Sequence, residues 1–437
     1  MKTYNNPDKS LWAGIAKRPS NYNSGLESSV RKIISQVQES GDKALFRLTK
    51  ELDGVTLDKL YLDTKEIDEL CNQVDSSLKE AIEIAISNIS RFHSSQKQEP
   101  LVTETMPGVK CVLKSLPIEK IGLYIPSGSA PLFSTVLMLG VPAQLAGCKD
   151  VVLFTPPSKD GMIAPAIAYC ARRLGIEKIV TLGGAQAVAA MAYGSESIGK
   201  RDKIFGPGNS YVTKAKELVS QVVAIDMPAG PSELMVIADE SCVPAYVAAD
   251  LLSQAEHGCD SQVLLLSNSA LVIENVSKEL GIMAGKLSRQ QQVDGALSNS
   301  CAILFDKLEN ALDFSNYYAP EHLIISTGNS WEMANSVTAA GSVFIGNYSP
   351  ESAGDYASGT NHTLPTGAWA KSYSGISLDS FMHKITFQEL TKDGLLSLSE
   401  VISIMANAES LEAHAMAVEV RSEAILQEKN VNKTNHK

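Results

Sequence analysis

Gln254 and His257 close a run of helix formers that begins at Pro244. Residues three apart share a helix face, so the two side chains can point at one spot. A carboxamide oxygen and an imidazole nitrogen are both ligands for a borderline divalent metal such as zinc. The same spacing also suits an ordinary helix end, with His257 set against the dipole and Gly258 just beyond it. Pro320-Glu321-His322 precedes the apolar run Leu323–Ile325. A carboxylate and an imidazole offer two basicities for general acid–base work. Adjacent strand residues point to opposite faces, so the pair shares a site only if the chain bends ahead of the strand.

Residues 352–356 and 358–367 are rich in small and turn-forming residues. This reads as a long loop on a rigid scaffold, and a loop of that length in a compact domain is usually functional. Asp355 is its candidate metal ligand and His362 its candidate ligand-supporting group. Glu409 and His414 stand five residues apart in a helical stretch, about 140° around a regular helix. They meet at one site only if the helix breaks between them, where Asn407 or Ser410 suits a cap. His93, His383 and His436 have no partner pattern and read as structural or solvated.

Two glycine runs suggest close approach to a phosphate. Gly183-Gly184-Ala185-Gln186 follows the apolar run Ile179–Leu182 and opens a helical stretch. A glycine turn feeding a helix N-terminus can cradle an anion, and it can equally be a tight connection. Gly206-Pro207-Gly208-Asn209 begins as GxG but lacks the third glycine, and Asp226 beyond it imitates the acidic ribose ligand of a dinucleotide site. Neither run is a complete fingerprint.

These groups need a scaffold. The chain has 437 residues, 44% apolar and 20% charged, enough for two or three domains at roughly 150 residues each. Val30, Ile33, Ile34 and Val37 recur at helical spacing, as do Leu78, Ile82, Ile84, Ile86 and Ile89. From residue 119 short apolar runs alternate with helical segments. They include Ile121–Ile125, Val151–Phe154, Leu234–Ile237, Val263–Leu266 and Val343–Ile345. Continuous apolar strands separated by helices imply parallel sheets covered on both faces, in more strands than one sheet needs. After residue 376 no strand is expected, only a helical element and a polar, disordered tail from Glu428.

The net charge of −11 and the lack of a basic run argue against nucleic acid and anionic membrane surfaces as partners. No apolar stretch approaches a membrane span, and the first twenty residues lack the apolar block of a signal peptide. Seven scattered cysteines without a CxxC fit reduced thiols in a cytoplasm.

Taken together, the motifs resemble the histidinol dehydrogenase family. The longest match is Ile225-Asp226-Met227-Pro228-Ala229-Gly230-Pro231-Ser232-Glu233, running on to Leu252-Ser253-Gln254-Ala255-Glu256-His257. Further matches are Gly122–Pro126, Gly183–Ala187, Phe205–Asn209, Ala319–His322, Gly354–Tyr356, Asn361–Thr366 and Glu412–Ala415. The resemblance implies zinc held by Gln254, His257 and Asp355 of one subunit and His414 of its dimer mate. It implies Glu321 and His322 as the acid–base pair. Ser232 and Glu409, with His322 and the metal ligands, would contact L-histidinol, and Tyr124, Gln186 and Asn209 would contact NAD.

The implied reaction is a four-electron oxidation of L-histidinol to L-histidine through L-histidinaldehyde, reducing two NAD. The implied fold is α/β: two incomplete Rossmann-like domains with small terminal segments that cross into the partner of a homodimer. The expected boundaries are an arm over 1–23, a first domain over 24–132 with 234–376, a second over 133–233, and a helical C-terminal domain over 377–437. Asp226 is then a lure. Two departures touch only local geometry: Gly367-Ala368 where the family often reads Gly-Gly, and Ser410 where Gly is common before Leu411-Glu412-Ala413-His414. Two other classes use the same residues. A zinc hydrolase has no need of the second, glycine-lined cleft, and a zinc-stabilised assembly protein gives Glu321 and His322 no task.

Overall fold

The computed structural model describes residues 1–19, 25–127, 130–227 and 230–434. Pro228 and Ala229 of the long motif, and His436, lie outside the described residues. Contacts divide the chain into two units: Met1–Gln96 with Ile118–Phe381, and Lys97–Pro117 with Met382–Lys437.

The first unit holds two six-stranded sheets. One is parallel throughout, in the order Lys2–Asn5, Cys301–Leu304, Gln262–Ser267, Glu233–Ala238, His322–Ser326, Ser342–Ile345. The other runs Tyr61–Leu62, Ile179–Val180, Asp150–Phe154, Lys120–Tyr124, Lys203–Phe205, Ala224–Ile225, with only the first strand antiparallel. Alternation explains the layers. Leu234 and Val236 face one apolar cluster while Met235 and Ile237 face another, so helices cover both sides and the strand is buried along its length.

Several expectations are corrected. Residues 1–19 are not a loose arm: Lys2–Asn5 adds an edge strand beside Cys301–Leu304, and Trp12 is buried edge-on against Phe314 at 5.3 Å. Lys120–Tyr124, grouped from sequence with residues 234–376, is hydrogen-bonded into the other sheet, between Asp150–Phe154 and Lys203–Phe205. Parallel partners are chosen across long connections, which local pattern does not encode.

The second unit is a three-stranded antiparallel sheet in the order Met382–Leu390, Val109–Pro117, Leu101–Met106, with helices Lys392–Ala408 and Glu412–Thr434. Strands therefore do not stop at 376. Met382–Leu390 is mostly exposed and half polar, so it lacks the apolar run that marks the central strands. The tail expected to be disordered from Glu428 continues the last helix to Thr434.

No helix among the described residues is long and apolar enough to cross a membrane. All seven cysteines are free.

Candidate active site

The polar centre gathers at the N-terminal ends of two neighbouring strands of the first sheet, Glu233–Ala238 and His322–Ser326. Before His322 the chain turns through Ala319, whose φ of 55° bends the backbone out of the helix Leu308–Tyr318. That bend gives the geometry Glu321 and His322 need. Both are buried, with Glu321 Oε2 3.8 Å from His322 Nδ1. The Glu233 peptide links them: its N–H donates to Glu321 Oε2 at 2.8 Å, and its C=O lies 3.3 Å from His322 Nδ1.

Asp355 was expected on a long loop. It lies instead on a short helix, Glu351–Tyr356, one turn after Glu351. The glutamate escaped the sequence reading, although the i, i+4 spacing of two acids was there to see. His322, Glu351 and Asp355 place ligand-capable atoms within 4.8 Å of one another. Glu351 Oε1 is 3.5 Å from His322 Nδ1, and Asp355 Oδ1 is 3.7 Å from Nε2. Gln254, fully buried at the end of helix Pro244–Ala255, orients its carboxamide between them, donating to Glu351 and accepting from the Glu233 N–H at 3.2 Å. Ser253 donates to the other Glu351 oxygen at 3.0 Å. His257 Nδ1 faces the Ser232 hydroxyl at 3.4 Å.

Burial sets the protonation preferences. Desolvation pushes Glu321 and Glu351 well above the usual carboxylate range and Asp355 up to about 7. It lowers His322 to about 3 and His362 to about 4, with His257 adding repulsion at both. Both imidazoles are therefore neutral at pH 7. His322 Nε2, Asp355 Oδ1 and His362 Nε2 are buried and have no hydrogen-bond partner among the described residues. Three crowded carboxyls and the unpartnered Asp355 oxygen suit a divalent cation, which would offset the acidic charge, and leave His322 Nε2 open to a substrate.

A pocket runs from this centre towards the second sheet, lined by Glu321, Ser232 and His362 on one side and Gly206, Pro207 and Asp226 on the other. On that sheet the strand order reverses between Lys120–Tyr124 and Lys203–Phe205, a topological switch point where ligands bind at the carboxyl ends of strands. Tyr124 sits at that end, buried, its hydroxyl accepting from the Gly184 N–H at 3.2 Å. Gly206 has φ +122°, and a Cβ there would meet the Tyr124 carbonyl oxygen at 2.0 Å, so only glycine fits. Gln186 is buried on the helix after the glycine turn and donates to Asp53 at 3.1 Å. Asn209 caps the next helix, accepting from the Tyr211 and Val212 N–H groups at 3.1 Å each. Asp226 accepts from the Gly206 N–H at 2.8 Å and forms a buried ion pair with Lys216, so its carboxylate is committed to holding the turn.

Glu409 and His414 belong to the second unit. The break on which a shared site depends is present: Lys392–Ala408 ends, Ser410 takes a left-handed φ of 59°, and Leu411 N–H returns to the Ala406 carbonyl at 2.8 Å before the next helix starts.

Fold and site define an α/β protein with a buried cluster of carboxyls and imidazoles, suited to a metal, beside the switch point of a parallel sheet. Comparison with known proteins shows which family it belongs to. Residues 16–422 match the family model described as histidinol dehydrogenase. Histidinol dehydrogenase of Bacteroides fragilis (strain YCH46) is 53% identical over 97% of this chain and 100% of its own length. That of Aliivibrio fischeri is 50% identical over 92% of this chain and 91% of its own. The crystal structure of histidinol dehydrogenase from Elizabethkingia anophelis superposes with a TM-score of 0.95 at 50% identity, covering 97% of this chain and 98% of that one. The chain belongs to the histidinol dehydrogenase family.

Proposed function

We propose that the chain carries out the zinc- and NAD-dependent oxidation of L-histidinol to L-histidine through L-histidinaldehyde, with two NAD reduced per turnover. Family membership supports histidinol oxidation in histidine biosynthesis. The observation that carries the finer reading is Glu321, buried beside His322 and lining a pocket that reaches the Gly206–Pro207 turn. Gln254, His257 and Asp355, with His414 of the partner subunit, would hold zinc, and Tyr124, Gln186 and Asn209 would hold NAD. Zinc would fix the substrate's amine and imidazole, and NAD would accept hydride in each oxidation.

His322 takes the hydroxyl proton as the alcohol carbon is oxidised, a task suited to a neutral imidazole. Glu321 then activates water for attack on the aldehyde, and His322 assists the second oxidation from the hydrate. Ser232 and Glu409 hold the amino alcohol. Because Asn209 Oδ1 is spent on its helix cap, the carboxamide nitrogen is the group left to meet the nucleotide. Supporting this cleft are the Gly206 approach to Tyr124 and the commitment of Asp226 to Lys216. A two-subunit site also suits retention of a reactive aldehyde between steps.

The test is NADH formed per L-histidinol consumed, followed by absorbance, with zinc and after chelation. Two NADH per substrate, lost on chelation and restored by zinc, is the expected result. One NADH per substrate would indicate an enzyme that releases the aldehyde. None would overturn the substrate assignment.

A further inference from the structure

Arg18, in the N-terminal segment and remote in sequence from every residue of the site, reaches the back of the acid–base centre. Its Nε donates to Glu233 Oε1 at 2.7 Å and its Nη2 to Glu233 Oε2 at 3.0 Å, a two-point fork. The same Nη2 donates to the Tyr318 carbonyl at 2.7 Å, and the guanidinium lies 3.7 Å from the centre of the Tyr318 ring. Glu233 Oε1 also accepts from the Gly367 N–H at 2.9 Å, at the end of the segment that carries His362. The Glu233 side chain is only 3% exposed.

Taking such a pair out of water is costly and is tolerated only with several well-aligned bonds. Here the bonds converge on the backbone that holds the reacting groups. Glu233 offers its N–H to Glu321 and its C=O to His322. Tyr318 stands just before the Ala319 bend that leads into Glu321. One guanidinium therefore clamps both peptide segments that set the direction of the two side chains.

We propose that the Arg18–Glu233 pair is a positioning device for catalysis: it holds the Glu233 backbone and the Tyr318–Pro320 turn in the register that aims Glu321 at the pocket and seats His322 beside it. Neither side chain touches substrate; both act through Glu321 and His322. The inference rests on the acid–base roles proposed above for those two residues. A misplacement of about 1 Å at reacting groups can cost on the order of 100-fold in rate.

The test is a double-mutant cycle on the zinc-loaded full-length enzyme, with Arg18→Ala and Glu321→Gln singly and together, reading kcat and KM for L-histidinol and for L-histidinaldehyde. Arg18→Ala is expected to lower kcat for aldehyde oxidation about 10–100-fold with KM little changed. In the Glu321→Gln background it should lower that kcat less, because one of the two residues it positions is already disabled. An equal fractional fall in both backgrounds would mean a general loss of folded enzyme, and no fall would mean the clamp is dispensable; either overturns the inference. If Arg18→Ala does not fold, Arg18→Lys keeps the charge but loses the fork, and the same cycle is read on it. Wild-type rates in Glu321→Gln and in a separate His322→Asn variant would instead overturn the acid–base reading, whatever Arg18 does.

Discussion

Glu351 faces Nδ1 of His322 at 3.5 Å from a position one helical turn before Asp355, and it is itself almost wholly buried. A buried carboxylate among two other acids is tolerable where a cation offsets it. Gln254, one of the proposed zinc ligands, donates to this carboxylate. Glu351→Gln keeps the shape and removes the charge. Zinc affinity should fall about 10–100-fold, as for other groups that orient metal ligands. Competition with a chelator of known affinity measures this, and unchanged affinity would detach Glu351 from the metal site.

The two oxidations should separate by residue. His322→Asn should slow both by about 100- to 10,000-fold, the usual range for a lost acid–base group. Glu321→Gln should harm aldehyde oxidation more than alcohol oxidation, since only the second step needs activated water. Feeding L-histidinol and L-histidinaldehyde separately distinguishes the steps. Wild-type aldehyde oxidation in Glu321→Gln would remove it as the water-activating base.

His414 offers a test of a shared site. His414→Ala and His322→Asn homodimers should each be nearly inactive. Mixed and reassembled, they should recover roughly a quarter of wild-type activity, because half the dimers carry one intact site. Mixtures that stay as inactive as the parents would place all four zinc ligands in one subunit.

Ala368 and Ser410 hold φ of 65° and 59°, where side chains are strained. Left-handed backbone costs a non-glycine residue about 1–2 kcal/mol, more than the roughly 0.4–1 kcal/mol that glycine loses through the unfolded chain. Ala368→Gly and Ser410→Gly should therefore each stabilise by about 0.5–1 kcal/mol. The measurement is the urea unfolding midpoint; a lower midpoint would mean that side-chain contacts at these positions outweigh the backbone strain.

Sequence alone determined what local chemistry and periodicity carry. Buried parallel strands announce themselves as apolar runs such as Leu234–Ile237, because both faces of each strand are covered. The helix that carries Gln254 follows from residues within a turn or two of each other, whereas the bend before Glu321-His322 and the break at Ser410 stood in the sequence only as conditions for a shared site. Tertiary structure decided everything that joins distant segments. Lys2–Asn5 became an edge strand because Cys301–Leu304 offered a free side. Met382–Leu390 became a strand because Val109–Pro117 did. Asp226 was removed from ligand duty by Lys216, and Glu351 was turned onto His322 by a six-residue helix in what reads as a loop. The Arg18–Glu233 clamp, spanning 215 positions, has no local trace at all. Its energy resides in a desolvated contact that exists only when the two sheet strands and the N-terminal segment have already met.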